Sequence, residues 1–250
     1  MRFLLLTLTS LLFFLPAICQ DINVLISEAD KIEAAPNEKS AFEYFKVIHY
    51  KYPNNVYAAV KCSELSSRIG TREPETRSRD AYYNAAVFYG KQALSLDPNS
   101  DDAHVSYAIA MGRISMLKDG KEKIAIAKEV KEHADIALKI NPNNFKAWHI
   151  VGKWNYEVSN LGFFERAAAR IFYGGLPPAS LDNAIAAYER ARALNYAFLL
   201  NHLELAKAYK RNDEDQKAIS CLRQILLLPI KTEDDPRIKK DAVRLLKEWD

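Results

Sequence analysis

The heptapeptide LKINPNN, Leu138–Asn144, has two near copies upstream: LSLDPNS at Leu94–Ser100 and HYKYPNN at His49–Asn55. Their prolines, Pro53, Pro98 and Pro142, are 45 and 44 residues apart. Proline cannot continue a helix, and the Asn or Ser that follows suits a turn and a helix start. Each heptapeptide therefore ends one helix and begins the next. A weaker copy, RALNYAF, sets Tyr196 where the prolines stood, and ILLLPIK follows with Pro229.

Between these marks the apolar period is helical. Trp148, Val151, Gly152 and Asn155 follow Pro142, and His202, Leu205, Ala206 and Tyr209 follow Tyr196 at the same offsets. Ala184, Tyr188 and Ala191 precede Tyr196; Ala218, Leu222 and Ile225 precede Pro229. Small residues where two backbones approach, with aromatics beside them, form the tetratricopeptide (TPR) pattern. The Tyr196–Pro229 spacing of 33 is near the ~34 of that repeat. The pattern predicts an all-α fold: a TPR-like α-solenoid of about five helix pairs, one inserted helix and a C-terminal capping helix. Helices are expected near 22–35, 38–51, 55–69, 78–96, 101–117, 122–140, 144–159, 163–173, 180–194, 199–211, 214–228 and 236–249. In the last, Val243, Leu246 and Trp249 are read as the apolar face.

One interval is too long. Pro142 to Tyr196 is 54 residues, and the excess falls across GFFERAAARIFYGGLPPAS, Gly162–Ser180. Phe164, Ala168, Ile171 and Phe172 make one stripe, Gly174 suits a left-handed cap, and Ser180 suits the next N-cap. The insert, residues 160–179, is thus expected to be a punctuated helix. Packing its stripe on the solenoid is the favoured reading; membrane contact through Phe163, Phe164 and Phe172 with Arg166 and Arg170 is the less favoured one.

The 250 residues carry a net charge of +3, with 8 Gly and 10 Pro. So small an excess implies no nucleic-acid partner. Residues 1–19 read as a signal peptide: Arg2, then the apolar run Phe3–Ile18, with Ala17 and Cys19 placed for cleavage before Gln20. Residues 20–250 then form one exported domain, periplasmic or secreted. Cys62 and Cys221 are expected as small buried hydrophobes rather than a disulfide.

No catalytic or phosphate-binding motif appears, and no cofactor or metal is expected. His104, His149 and His202 recur at similar places in successive first helices, too far apart to share one ion. His133 is expected to point outward or pair with Glu129. First helices of such repeats line a concave groove, whose face should carry Tyr57, Glu64 and Arg68; Val105, Ile109 and Arg113; His149, Lys153, Tyr156 and Glu157; and Leu203, Lys207, Lys210 and Arg211. The candidate partner-binding set is Arg68, Arg113, His149, Lys153, Tyr156, Lys207, Lys210 and Arg211. A row of cations would clamp acidic groups. The competing reading is a solvated face, diluted by Glu64 and Glu157.

The segments KEHADIALKINPNN (Lys131–Asn144), HIVGKWNYEVSNLGFFERAAARIFYGGLPPASLDNAIAAYERARALN (His149–Asn195) and LPIKTEDDPRIKKDAVRLLKEW resemble the regulator of microtubule dynamics proteins. The resemblance runs from about Ala41 onward. It implies a TPR-like, non-enzymatic scaffold that binds a protein or peptide, and microtubule association comes to this chain through it alone. The alternative is a membrane-surface or envelope component, anchored by an uncleaved N-terminal segment and the inserted helix.

Overall fold

The computed structural model describes residues 21–249, except the side chains of Phe163, Phe164, Ala168, Phe172 and Tyr173. The signal-peptide reading therefore lies outside the described residues, and the membrane-contact reading of Phe163, Phe164 and Phe172 falls on side chains outside the description.

Twelve helices occupy the described chain: α1 Ile22–Ala34, α2 Glu38–Lys51, α3 Val56–Arg72, α4 Thr76–Leu96, α5 Asp101–Ser115, α6 Gly120–Ile140, α7 Phe145–Ser159, α8 Phe163–Tyr173, α9 Leu181–Leu194, α10 Leu199–Arg211, α11 Asp215–Leu227 and α12 Asp235–Trp249. The pairs are α1/α2, α3/α4, α5/α6, α7/α9 and α10/α11. The insert α8 lies within the fourth pair, and α12 closes the stack on α10 and α11.

The repeated heptapeptide has one local geometry at all three copies. The residue before each proline closes its helix: Tyr52, Asp97 and Asn141 N–H donate to Ile48, Ala93 and Ala137 carbonyls. Their own carbonyls accept from Asn55, Ser100 and Asn144 N–H across the proline turn. Those last three side chains then cap the following helix, accepting from Ala58, Ala103 and Ala147 N–H at 2.8, 3.2 and 3.0 Å. A side-chain oxygen at this position satisfies a helix-start N–H that would otherwise lack a partner.

A second device recurs six residues past each later anchor. His104 Nε2 donates to Pro98 O, Trp148 Nε1 to Pro142 O and His202 Nε2 to Tyr196 O, at 2.9, 2.9 and 2.8 Å. This corrects the histidine register: Trp148, not His149, is the structural equivalent of His104 and His202. The recurrence reflects a ring N–H needed at that turn.

Small residues bring the paired helices together. Gly152 of α7 faces the fully buried ring of Tyr188 on α9; a Cβ built on it would lie 2.6 Å from Tyr188 Cδ1. Ala184, Ala206 and Ala218 are fully buried. The core runs as successive clusters, from Leu25–Ile69 at the N-terminal end to Ala184–Leu245 at the other. Cys62 and Cys221 are buried free thiols. Burial pushes them up to about 12 and about 11, so both stay protonated and unreactive at neutral pH.

The insert ends as its sequence suggests: Gly174 adopts φ 67°, and Ser180 caps α9 by accepting from Asn183 N–H at 3.0 Å. Helix α8 packs against α6, with Ala169 buried and Ile171 75% exposed. Ile171 therefore does not belong to a packed stripe. The capping helix buries Ile238, Ala242 and Leu245, with Leu246 and Trp249 partly covered, while Val243 is 40% exposed. The expected 243–246–249 face was rotated from the true one, because α11 and α10 approach α12 along the 238–242–245 line. No helix among the described residues is long and apolar enough to cross a membrane.

Candidate functional site

Backbones of the first helices approach one another in series, α3 to α5, α5 to α7 and α7 to α10, while second helices come close mainly to their sequence neighbours. The first helices therefore form the inner face. Its curvature is tight: Lys146 on α7 reaches past α5 to form an ion pair with Glu64 on α3. Two residues expected on the groove surface are instead core. Val105 and Leu203 are buried under neighbouring first and second helices.

The inner face is polar and largely self-paired. Lys153 Nζ lies 2.8 Å from Glu204 and 2.9 Å from Glu157, and Lys207 Nζ lies 2.7 Å from Glu204. Arg68 lies 2.5 Å from Glu33, which also receives Lys61 at 2.5 Å. Arg211 Nη1 donates to Tyr156 O at 2.8 Å, and its guanidinium stacks over the Tyr156 ring at 5.1 Å. Lys210 turns toward the cap, 2.9 Å from Asp215 and over the Trp249 ring. Of the residues singled out from sequence, the structure brings Lys153 and Lys207 onto Glu204, and Lys153 and Arg211 over the Tyr156 ring.

Burial and charge oppose each other here. Burial drives the Glu204 carboxyl upward, but the Lys153 and Lys207 ammoniums overcome it and hold the pKa at about 2. Burial likewise raises Glu64, and Lys146, Lys61 and Arg68 together more than offset it. His149 is pushed down chiefly by burial. Its Nδ1 donates to Asn201 Oδ1 at 3.0 Å, and Asn201 Nδ2 donates onward to Tyr188 O at 2.9 Å. His149 thus braces α7 against α10 as a neutral ring.

Arg113 differs from the rest of the row. Among the described residues no carboxylate lies within ion-pair distance of it, and its Nε is buried without a hydrogen-bond acceptor. Sequence position marked Arg113 only as one cation among several; its lack of a partner is set by where Glu64 and Glu204 spend their charge. Those acidic partners, with Glu33 and Lys146, were the residues that sequence reading missed as organisers of the face.

His133 is corrected too. It is partly buried and makes no hydrogen bond to Glu129, which accepts from Tyr107 Oη at 2.6 Å. His133 Nδ1 instead meets His104 Nδ1 at 2.7 Å. His104 spends its Nε2 proton on Pro98, so its Nδ1 accepts and His133 donates. Among the described residues no three His, Cys, Asp or Glu side chains gather as a metal site.

Paired helices, proline-anchored turns and a polar inner face define a TPR-like α-solenoid. A thermophilic TPR protein from Thermus thermophilus superposes with a TM-score of 0.65 at 15% identity, covering 89% of this chain and 99% of that one. The family model described as Regulator of microtubule dynamics protein 1-3 matches residues 25–250, and the chain belongs to that family. It is 31% identical over 233 residues to Regulator of microtubule dynamics protein 1 of Bos taurus, covering 91% of this chain and 72% of that protein. It is 24% identical over 228 residues to protein 2 of Homo sapiens, covering 90% of this chain and 56% of that protein. The chain thus spans little more than half the length of the human relative. Fold and family together support a helical protein-interaction scaffold.

Proposed function

We propose that the inner face of α3, α5, α7 and α10 binds an acidic peptide or helix, with Arg113 as the receptor for its carboxylate. The observation that carries this is the unpartnered Arg113 guanidinium on a face whose other candidate cations are paired internally. A partly buried guanidinium whose Nε lacks an acceptor gains most from a charge-assisted hydrogen bond supplied by a ligand. Lys153 and Lys207 hold Glu204 and shape the wall; they are poorer hands for a partner. No catalytic step is assigned, in keeping with a scaffold, and the microtubule connection in the relatives' names is one source of such a partner.

The test is a peptide array, acidic against charge-neutral, probed with wild type and Arg113→Ser. Acidic peptides should bind and lose about tenfold or more in affinity with the variant, the worth of one charge-assisted hydrogen bond. Equal binding by both proteins, or none to acidic peptides, would sink the assignment.

We further propose export of the chain with removal of residues 1–19. Mass spectrometry of protein purified from its native source should give a chain beginning at Gln20; a retained Met1 would favour the anchored alternative.

A further inference from the structure

We propose that Arg72 and three carboxylates clasp the two ends of the solenoid together, and that opening the clasp admits a partner to the inner face. The second half rests on the inner-face reading above; the first does not.

The first helix pair meets the loop before α12, 195 residues along the chain, where Glu38 N–H donates to Glu233 Oε1 at 2.6 Å. Arg72, the last residue of α3, then gathers the charges. Its Nη2 lies 2.6 Å from Glu38 Oε2 and 3.1 Å from Glu233 Oε2, and its Nη1 lies 3.2 Å from Asp234 Oδ2. Arg68 Nε stands 3.5 Å from the other Glu38 oxygen. Glu38 is 1% exposed, so it is desolvated by this contact and its own helix pair. The loop is shaped to present its acids. Asp235 Oδ2 accepts from Lys231 and Thr232 N–H at 2.7 and 2.8 Å, which fixes Glu233 and Asp234 side by side.

Among the described residues no apolar cluster crosses this junction: the buried members of the N-terminal cluster end at Ile69, and those of the C-terminal one begin at Ala184. A contact made of ion pairs and a backbone hydrogen bond comes apart without exposing a core, and salt weakens it through its more exposed members, Glu233 and Arg72. Small rotations shared among the repeats are enough to separate the ends of a solenoid. Arg72 shares the three carboxylates with Arg68, 3.5 Å from Glu38, and Arg237, 3.7 Å from Asp234, so among the described residues it is the one cation that bridges both ends.

The full chain, with Cys19→Ser, is spin-labelled at Ser40→Cys and Lys240→Cys; buried Cys62 and Cys221 stay silent. Pulsed dipolar spectroscopy should give a short, narrow distance distribution at low salt. It should lengthen and broaden near 1 M salt, where the screening length falls to about 3 Å. Arg72→Glu should give the long distribution at every salt concentration, and Arg72→Glu with Glu233→Arg should restore the short one. Circular dichroism establishes that the helices are intact in both. Identical distributions for wild type and Arg72→Glu would refute the clasp. Access is read separately by a bulky maleimide on Gly112→Cys, beside Arg113, where a Cβ meets open space. Faster labelling in Arg72→Glu supports gating; an unchanged rate overturns that half. Arg113-dependent peptide binding with no change in label distance would leave the inner face standing and remove the clasp.

Discussion

Gly152→Val is expected to lower stability by about 3 kcal/mol, at the upper end of what overpacking costs. The added Cβ would lie 2.6–2.9 Å from three atoms of the Tyr188 ring, well inside van der Waals contact. The ring has nowhere to go. Tyr188 is fully buried, its main-chain carbonyl is held by Asn201, and its face packs against His149. The helix gains a few tenths of a kcal/mol when valine replaces glycine, far less than the clash. For a chain of this size the loss corresponds to roughly 6–10 °C in thermal midpoint. Gly112 supplies the contrast. It sits within α5 with nothing within 4 Å of a built Cβ, so Gly112→Ala should raise stability by about 0.5–1 kcal/mol. Thermal melts of both variants check the pair. A Gly152→Val midpoint equal to wild type would mean that close approach is not what glycine provides there.

These two glycines show where the sequence is informative. The helix map was legible because its signals are local: an Asn or Ser oxygen caps a helix three residues away, and Gly174 turns the chain where it stands. Repeat spacing even isolated α8 as an insertion. Other features depend on curvature summed over many repeats. That Lys146 meets Glu64 past an intervening helix, or that Glu38 meets Glu233, follows from small rotations between helix pairs that no local pattern encodes. The errors share that cause. Val105 and Leu203 were assigned to the groove by offset alone, and tight curvature buries them. The α12 stripe was displaced because an amphipathic cap offers two adjacent faces and its neighbours choose between them. His133 was misassigned because its true partner, His104, comes from another helix of the pair. The candidate cations were visible in sequence, but which of them is spoken for depends on Glu204, Glu33 and Glu38, and these become partners only in three dimensions.

Acid should unfold the protein in a window that Glu204 helps to set. Its carboxyl is lowered to about 2 in the folded chain from an ordinary value near 4.5. A lowered folded pKa means that the unfolded chain takes up the proton first. The Glu204 contribution is therefore complete above about pH 4.5, fades as pH falls, and is gone below about pH 2. A shift of this size would be worth roughly 3 kcal/mol for a fully enclosed pair. Lys153 and Lys207 are 45% and 37% exposed, however, so water screens part of the attraction, and about 2 kcal/mol is the better expectation. Glu204→Gln keeps the shape and removes the titration. It should be less stable than wild type at pH 7, while the difference closes between pH 4.5 and 2. Lys153→Met with Lys207→Met asks the converse question, because it strands a carboxylate that is only 8% exposed. Its cost at pH 7 should exceed that of Glu204→Gln, and part of it should be recovered on mild acidification as Glu204 takes up a proton. Denaturant titrations of the three proteins from pH 7 to pH 2 measure these curves. Parallel curves for wild type and Glu204→Gln would show that the Glu204 ion pairs contribute nothing, and the α7–α10 contact would then rest on bonds such as His149–Asn201.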